Sequence, residues 1–118
     1  MSLMLKASTA ELVSWLSHEE PRARELAAAY LGDRLDHACT TGAETDAVVQ
    51  PLVEALERET DPVVQEEIAR SLGFLVEHGT VPRAIVPALK ECLPRLHAEA
   101  AEYINDIVED ADRAPGRA

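Results

Sequence analysis

The chain has 118 residues, 22 of them acidic and 11 basic, for a net charge of −11. A field of that sign repels nucleic-acid phosphates and anionic membrane surfaces, and no local Lys/Arg cluster offsets it. Hydrophobic residues make up 47% of the chain but the aromatics are only Trp15, Tyr30, Phe74 and Tyr103, a balance that excludes global disorder and suits an aliphatic, helix-on-helix core.

Residues 1–8 read as an N-terminal extension, in which Met1-Ser2-Leu3 precede a second methionine, Met4, and carry no weight. Ser8-Thr9-Ala10-Glu11 fits a capping box, and Leu12, Val13, Trp15 and Leu16 follow as a short first helix. Pro21 opens the second helix at a position where its missing N–H costs nothing. Ala23, Leu26, Ala27, Tyr30 and Leu31 recur along it at steps of three and four, and Gly32 either ends it or sits inside a helix running towards Ala38.

The small, polar stretch Cys39–Glu44 reads as a loop. Thr45 or Asp46 then caps a third helix carrying Val48, Val49, Leu52, Val53 and Leu56, and Asp61-Pro62 caps and opens a fourth with Val64, Ile68, Leu72 and Leu75 on one face. Val81, Ile85, Val86 and Leu89 mark a fifth helix. Pro94 starts a sixth, with Leu96, Ala100, Ile104, Ile107 and Val108. Pro51 and Pro87 lie inside the third and fifth patterns, which predicts bent or late-starting helices there. Residues 111–118 read as a frayed tail.

The chain repeats itself. Leu12-Val13, Leu16, Pro21, Ala27-Ala28 and Leu31-Gly32 recur as Leu52-Val53, Leu56, Pro62, Ile68-Ala69 and Leu72-Gly73, at an offset of 40 for the first helix and 41 for the second. A third copy reads Ile85-Val86, Leu89, Pro94, Ala100-Ala101 and Ile104-Asn105, offset by 33 and then 32. One helix pair cannot bury its apolar face alone, so such pairs stack and share a core.

Asp61-Pro-Val-Val-Gln65, followed by Ile68-Ala69 and Leu72-Gly73, resembles the HEAT-like repeat pattern of the lyase type: Asp-Pro-x-Val-Arg, paired small residues, then Leu-Gly. Repeat one carries Glu20-Pro-Arg-Ala-Arg24 and keeps the Arg that Gln65 replaces, whereas repeat three has His97 at that place and Asn105 at the Gly. The resemblance spans about residues 9–110. It implies an all-α, right-handed α-α superhelix of about three helix pairs, and it says little of function, because such repeats serve scaffolds, adaptors, inhibitors and a few enzymes.

Candidate chemistry is sparse. His18-Glu19 and Glu77-His78 are superficially similar to the His-Glu dipeptides of deoxyhypusine hydroxylase, a HEAT-like di-iron enzyme. His18 falls in a turn, Glu77-His78 is reversed, and His97 is followed by Ala98, so these read as turn and cap histidines. His37 and Cys39 point apart on a helix and have no orienting third group. Cys39 and Cys92 form no CxxC or zinc spacing, which suggests a reducing, cytoplasmic setting. The amino terminus lacks a signal peptide's apolar run, and no segment reaches spanning length.

The expected chain is therefore a non-enzymatic protein-interaction module without metal or cofactor. Its partner has a basic or mixed surface and is neither nucleic acid nor membrane. DNA glycosylases of HEAT-like architecture need a basic groove that this charge does not provide. Two regions are candidates for the contact. Arg24, Glu66, Glu67 and Arg70 belong to second helices, which line the concave face of such arrays; Glu102, Asp106 and Glu109 form an acidic stripe on the last helix. The plainer reading makes Arg24 and Arg70 partners of neighbouring acids, and the stripe a solubilising outer face. Alternative functions are an accessory subunit resembling the HEAT-like bilin lyases and a unit that self-associates through exposed repeat ends.

Overall fold

The computed structural model describes residues 6–113, and every element among them is helical. The expectations for residues 1–5 and 114–118 lie outside this range. Helix α1, Thr9–Trp15, opens on the expected capping box: the Glu11 amide donates to Ser8 Oγ at 3.1 Å, and Glu11 Oε1 accepts from the Ser8 amide at 2.8 Å. The backbone hydrogen bond from Ser8, then its hydroxyl, holds the Glu11 carboxyl below its ordinary value of 4.5.

Helix α2, Pro21–Thr41, is longer than expected. The stretch that reads as a loop from its composition continues the helix for another turn. Thr40 and Thr41 donate their hydroxyls back to the Asp36 and His37 carbonyls, at 2.9 and 3.1 Å, instead of competing for the backbone elsewhere. Gly42 then terminates it at φ 75°, with the Ala43 amide on the Ala38 carbonyl at 2.9 Å, a Schellman-type end that only glycine adopts without strain.

Helix α3, Asp46–Arg58, neither starts late nor stops at Pro51. The carbonyl that Pro51 leaves without a donor belongs to Ala47, an exposed residue, while Val49, Leu52, Val53 and Leu56 face inward. Helix α4, Pro62–Leu72, begins on Asp61, whose Oδ1 accepts from the Val63 and Val64 amides. It does not run on to Leu75 as one helix: Gly73 intervenes, and the short α5, Phe74–Glu77, carries Leu75 into the core.

After Pro87, the expectation of a late start holds. A 3-10 turn, Arg83–Ile85, precedes α6, Val86–Cys92, with Pro87 in its first turn. Pro94 does not open the last helix; it sits in a second 3-10 turn, Leu93–Arg95, and Leu96 is extended. Helix α7 spans Ala98–Arg113 and buries Ala111, so it passes the expected end at residue 110.

The helices form two layers. Helices α1, α3 and α6 neighbour one another in that order, and α2, α4 and α7 do the same beneath them, each packed on its sequence partner. The smallest extent of the Cα trace, 17 Å, fits two layers of helices packed about 8–10 Å apart. Leu12, Leu31, Leu52, Leu56, Ile68, Leu72, Leu89 and Ile104 are among the fully buried side chains of one continuous core. No strand occurs among the described residues.

Candidate protein-binding surface

The sequence repeat returns as a repeated set of hydrogen bonds. In repeat one, Arg24 Nη1 donates to the carbonyl of His18, six residues back, at 2.8 Å. Its Nε and Nη2 reach forward to the two carboxylate oxygens of Glu59, at 2.9 and 3.0 Å. In repeat two, Gln65 Nε2 donates to the carbonyl of Glu59, again six residues back, at 2.9 Å, and its Oε1 accepts from the His97 amide at 3.0 Å. One position in each of the first two repeats thus ties its own interhelical turn to that of the next. Arg95 completes the second joint by donating to the Leu56 and Glu59 carbonyls at the end of α3.

This assigns Arg24 to the framework. Its side chain is 18% exposed and that of Glu59 is 5% exposed, and the bond to Glu59 raises the guanidinium above its ordinary value against the opposing desolvation. Glu59 also accepts from the Thr60 and Asp61 amides, so a buried carboxylate is satisfied by a bidentate partner and its own turn. Neither Glu59 nor Arg95 stands out in the sequence; the available signal was only that the turn before Asp61-Pro62 contains an acid.

The remaining candidates gather further along the same layer, on α4 and α7. Arg70 closes on Glu67, its Nη2 lying 2.6 Å from both carboxylate oxygens. One turn back on α4, Glu66 borders a hollow of about 280 Å³ whose far wall is α7, through Glu99, Glu102, Tyr103 and Asp106. Tyr103 and Asp106 also border a second hollow of about 390 Å³, where Arg70, Gly73, Phe74, Val76 and Glu77 face them. The two regions that the sequence presents as separate adjoin: Glu66 faces Glu102 and Asp106 across one hollow, Arg70 faces Asp106 across the next, and Tyr103 and Asp106 border both. Glu109 lies on α7 outside both hollows, exposed and 3.8 Å from Arg113.

Tyr103 is the central side chain that sequence reasoning passed over. It is the one aromatic residue in α7, half-buried between Glu102 and Asp106. An aromatic set into an otherwise acidic stripe was the available signal.

The histidines serve turns and helix ends or face solvent. His18 stacks on Trp15 at 5.4 Å, and its Nδ1 accepts from the Glu20 amide. His78 Nε2 lies 2.7 Å from Asp36 Oδ1, joining the end of α5 to α2. His37 and His97 are exposed. The Cys39 sulfur faces the Thr80 hydroxyl at 3.6 Å, and the buried Cys92 thiol is raised by desolvation. Among the described residues no three His, Cys, Asp or Glu side chains converge as metal ligands, and no helix is long and apolar enough to cross a membrane.

Neither a family model, nor a curated protein, nor a solved structure matches this chain.

Proposed function

We propose that the chain is a non-enzymatic protein-interaction module of the reducing cytoplasm, a right-handed stack of three HEAT-like helix pairs. It binds a protein with a basic or mixed surface on the face of its second helices. The observation that carries this reading is the cleft between α4 and α7, where candidates from two helices and two repeats adjoin. Support for the stack comes from the two-layer helix order and from the matching roles of Arg24 and Gln65.

The character of the surface favours a charged partner over end-to-end stacking of copies. Among the described residues, Val63, 55% exposed, is the exposed large hydrophobic, while Val13, Trp15, Leu26 and Tyr30 of the first repeat are partly buried. A charge of −11 on each copy opposes self-association and speeds encounter with cationic surfaces.

Capture from the protein's own cell extract tests the reading. The native chain should retain a discrete partner, and a variant reversed at Glu66 and Arg70 (Glu66→Arg, Arg70→Glu) should lose it. Retention that ignores this double reversal removes the second-helix face from the proposal.

A further inference from the structure

Five carboxylates border the joined hollows: Glu66 and Glu77 on one side, Glu99, Glu102 and Asp106 on the other. Arg70 is the single guanidinium that borders them, and Glu67 already neutralises it. The cleft is therefore acidic at its rim. Its walls are not: Phe74, Val76 and the ring of Tyr103 supply partly buried apolar surface, and Gly73 exposes backbone in place of a side chain.

A size change at one repeat position accompanies the hollow beside Gly73. Ser71 on α4 lies against Gly32 on α2 so closely that a Cβ on Gly32 would sit 2.3 Å from Ser71 Oγ. Thirty-two residues on, at the offset of the second helices, Tyr103 lies over Gly73, where a Cβ would have 3.7 Å to the ring. A hydroxymethyl group lets α2 and α4 close up; a phenol ring cannot enter the same space and leaves a gap beside it.

We infer that this cleft receives a basic peptide segment of a protein partner, with one apolar side chain against Phe74, Val76 and Tyr103 and an arginine or lysine on either side. The inference rests on the interaction-module reading and adds the chemistry of the partner. Charge complementarity selects the flanking residues, and the Tyr103 ring offers a face to a guanidinium. The combination matters physically. Exposed ion pairs contribute little each, so the apolar contact supplies most of the affinity while the carboxylates supply orientation and association rate. Nucleic acid and anionic peptides are excluded by the same rim.

Fluorescence anisotropy with three labelled nine-residue peptides tests this on the full chain: a parent with arginines flanking a central leucine, one with serine replacing the leucine, and one with glutamates replacing the arginines. The parent should bind. The serine peptide should bind at least about tenfold more weakly, as loss of one buried leucine implies, and the glutamate peptide should not bind. Asp106→Arg, which replaces attraction by repulsion, should weaken the parent by about fivefold, whereas Glu109→Arg, the same charge change outside the hollows, should stay within about twofold. Asp106 and Glu109 are both exposed, and unchanged circular dichroism verifies the fold of each variant.

Equal binding of the leucine and serine peptides, or equal loss in Asp106→Arg and Glu109→Arg, overturns the inference in favour of diffuse attraction. A parent peptide that does not bind also overturns it. Such failure beside a captured partner that is lost on reversal of Glu66 and Arg70 sinks the peptide chemistry alone; failure together with no captured partner sinks the interaction-module reading as well.

Discussion

The two joints between successive repeats are built on the same positions and finished differently. At the first, Arg24 reaches Glu59 through a bidentate ion pair, and Ser71 fits against Gly32 in the core, donating to the Ala28 carbonyl at 2.9 Å. At the second, Gln65 reaches the His97 amide through one neutral hydrogen bond, and Tyr103 stands off Gly73 beside an open cleft. Equivalent positions thus give a closed joint and an open one. One relaxed packing contact opens a cleft between α4 and α7 while the contact of α2 with α4 stays closed.

The comparison can be broken most severely at the helix both joints share. Leu72 and Ile68 on α4 are fully buried, and Leu72→Ala should cost about 2–5 kcal/mol in denaturant unfolding. A loss below about 0.5 kcal/mol would place that face of α4 outside the common core.

A smaller effect separates the two polar links. Glu59→Ala leaves the Arg24 guanidinium without its acid in a mostly buried place and should cost about 1.5–3 kcal/mol; Gln65→Ala, which removes neutral bonds, should cost about 1 kcal/mol. Equal costs would show that the ion pair does not distinguish the joints.

Smaller again is the contrast between the glycines. Gly32→Ala drives a methyl into Ser71 and should destabilise by about 1–2 kcal/mol despite the better helix propensity of alanine. Gly73→Ala meets Tyr103 only at ordinary contact distance but brings its methyl to 3.0 Å from the Arg70 carbonyl, and should cost less than Gly32→Ala, below about 1 kcal/mol. The double variant Gly32→Ala, Ser71→Ala should recover part of the loss if the clash with Ser71 is its cause.

The smallest expected effect concerns α1, at the edge of the first joint. The Glu11 carboxyl is depressed in the folded chain and ordinary in the unfolded one. Its contribution to the cap is therefore complete above about 4.5 and lost as pH falls through the lower folded value. An NMR titration should place the Glu11 midpoint below 4.5, with the Ser8 amide reporting the same transition.

Much of this architecture was legible from spacing. The apolar face of each helix, the capping box at Ser8, the start at Asp61-Pro62 and the correspondence of Arg24 with Gln65 follow from periodicity and local chemistry. What spacing could not give was decided by neighbours distant in the chain. Residues 39–41 look like loop by composition, yet their threonines bond back within α2 and Gly42 sets the end. Pro94 looks like a helix start, yet its turn is held by Arg95 on α3 and by His97 on Gln65. The cleft was half legible: its acids were visible as a stripe, but their meeting with Glu66 and Arg70 depends on which faces of α4 and α7 adjoin. The place of Tyr103 depends on knowing that Ser71 is its counterpart.

We propose that this chain meets its partner at the open joint between α4 and α7. The most direct measurement is a chemical-shift titration of the 15N-labelled chain with the leucine-centred arginine peptide. Saturable shifts should concentrate at Glu66, Arg70, Gly73, Glu102, Tyr103 and Asp106, with Glu109 and the closed joint at Gly32 and Ser71 little changed. Shifts spread evenly over the acidic surface, or gathered at the hollow formed by Tyr30, Asp33, Arg34 and His37, would contradict it.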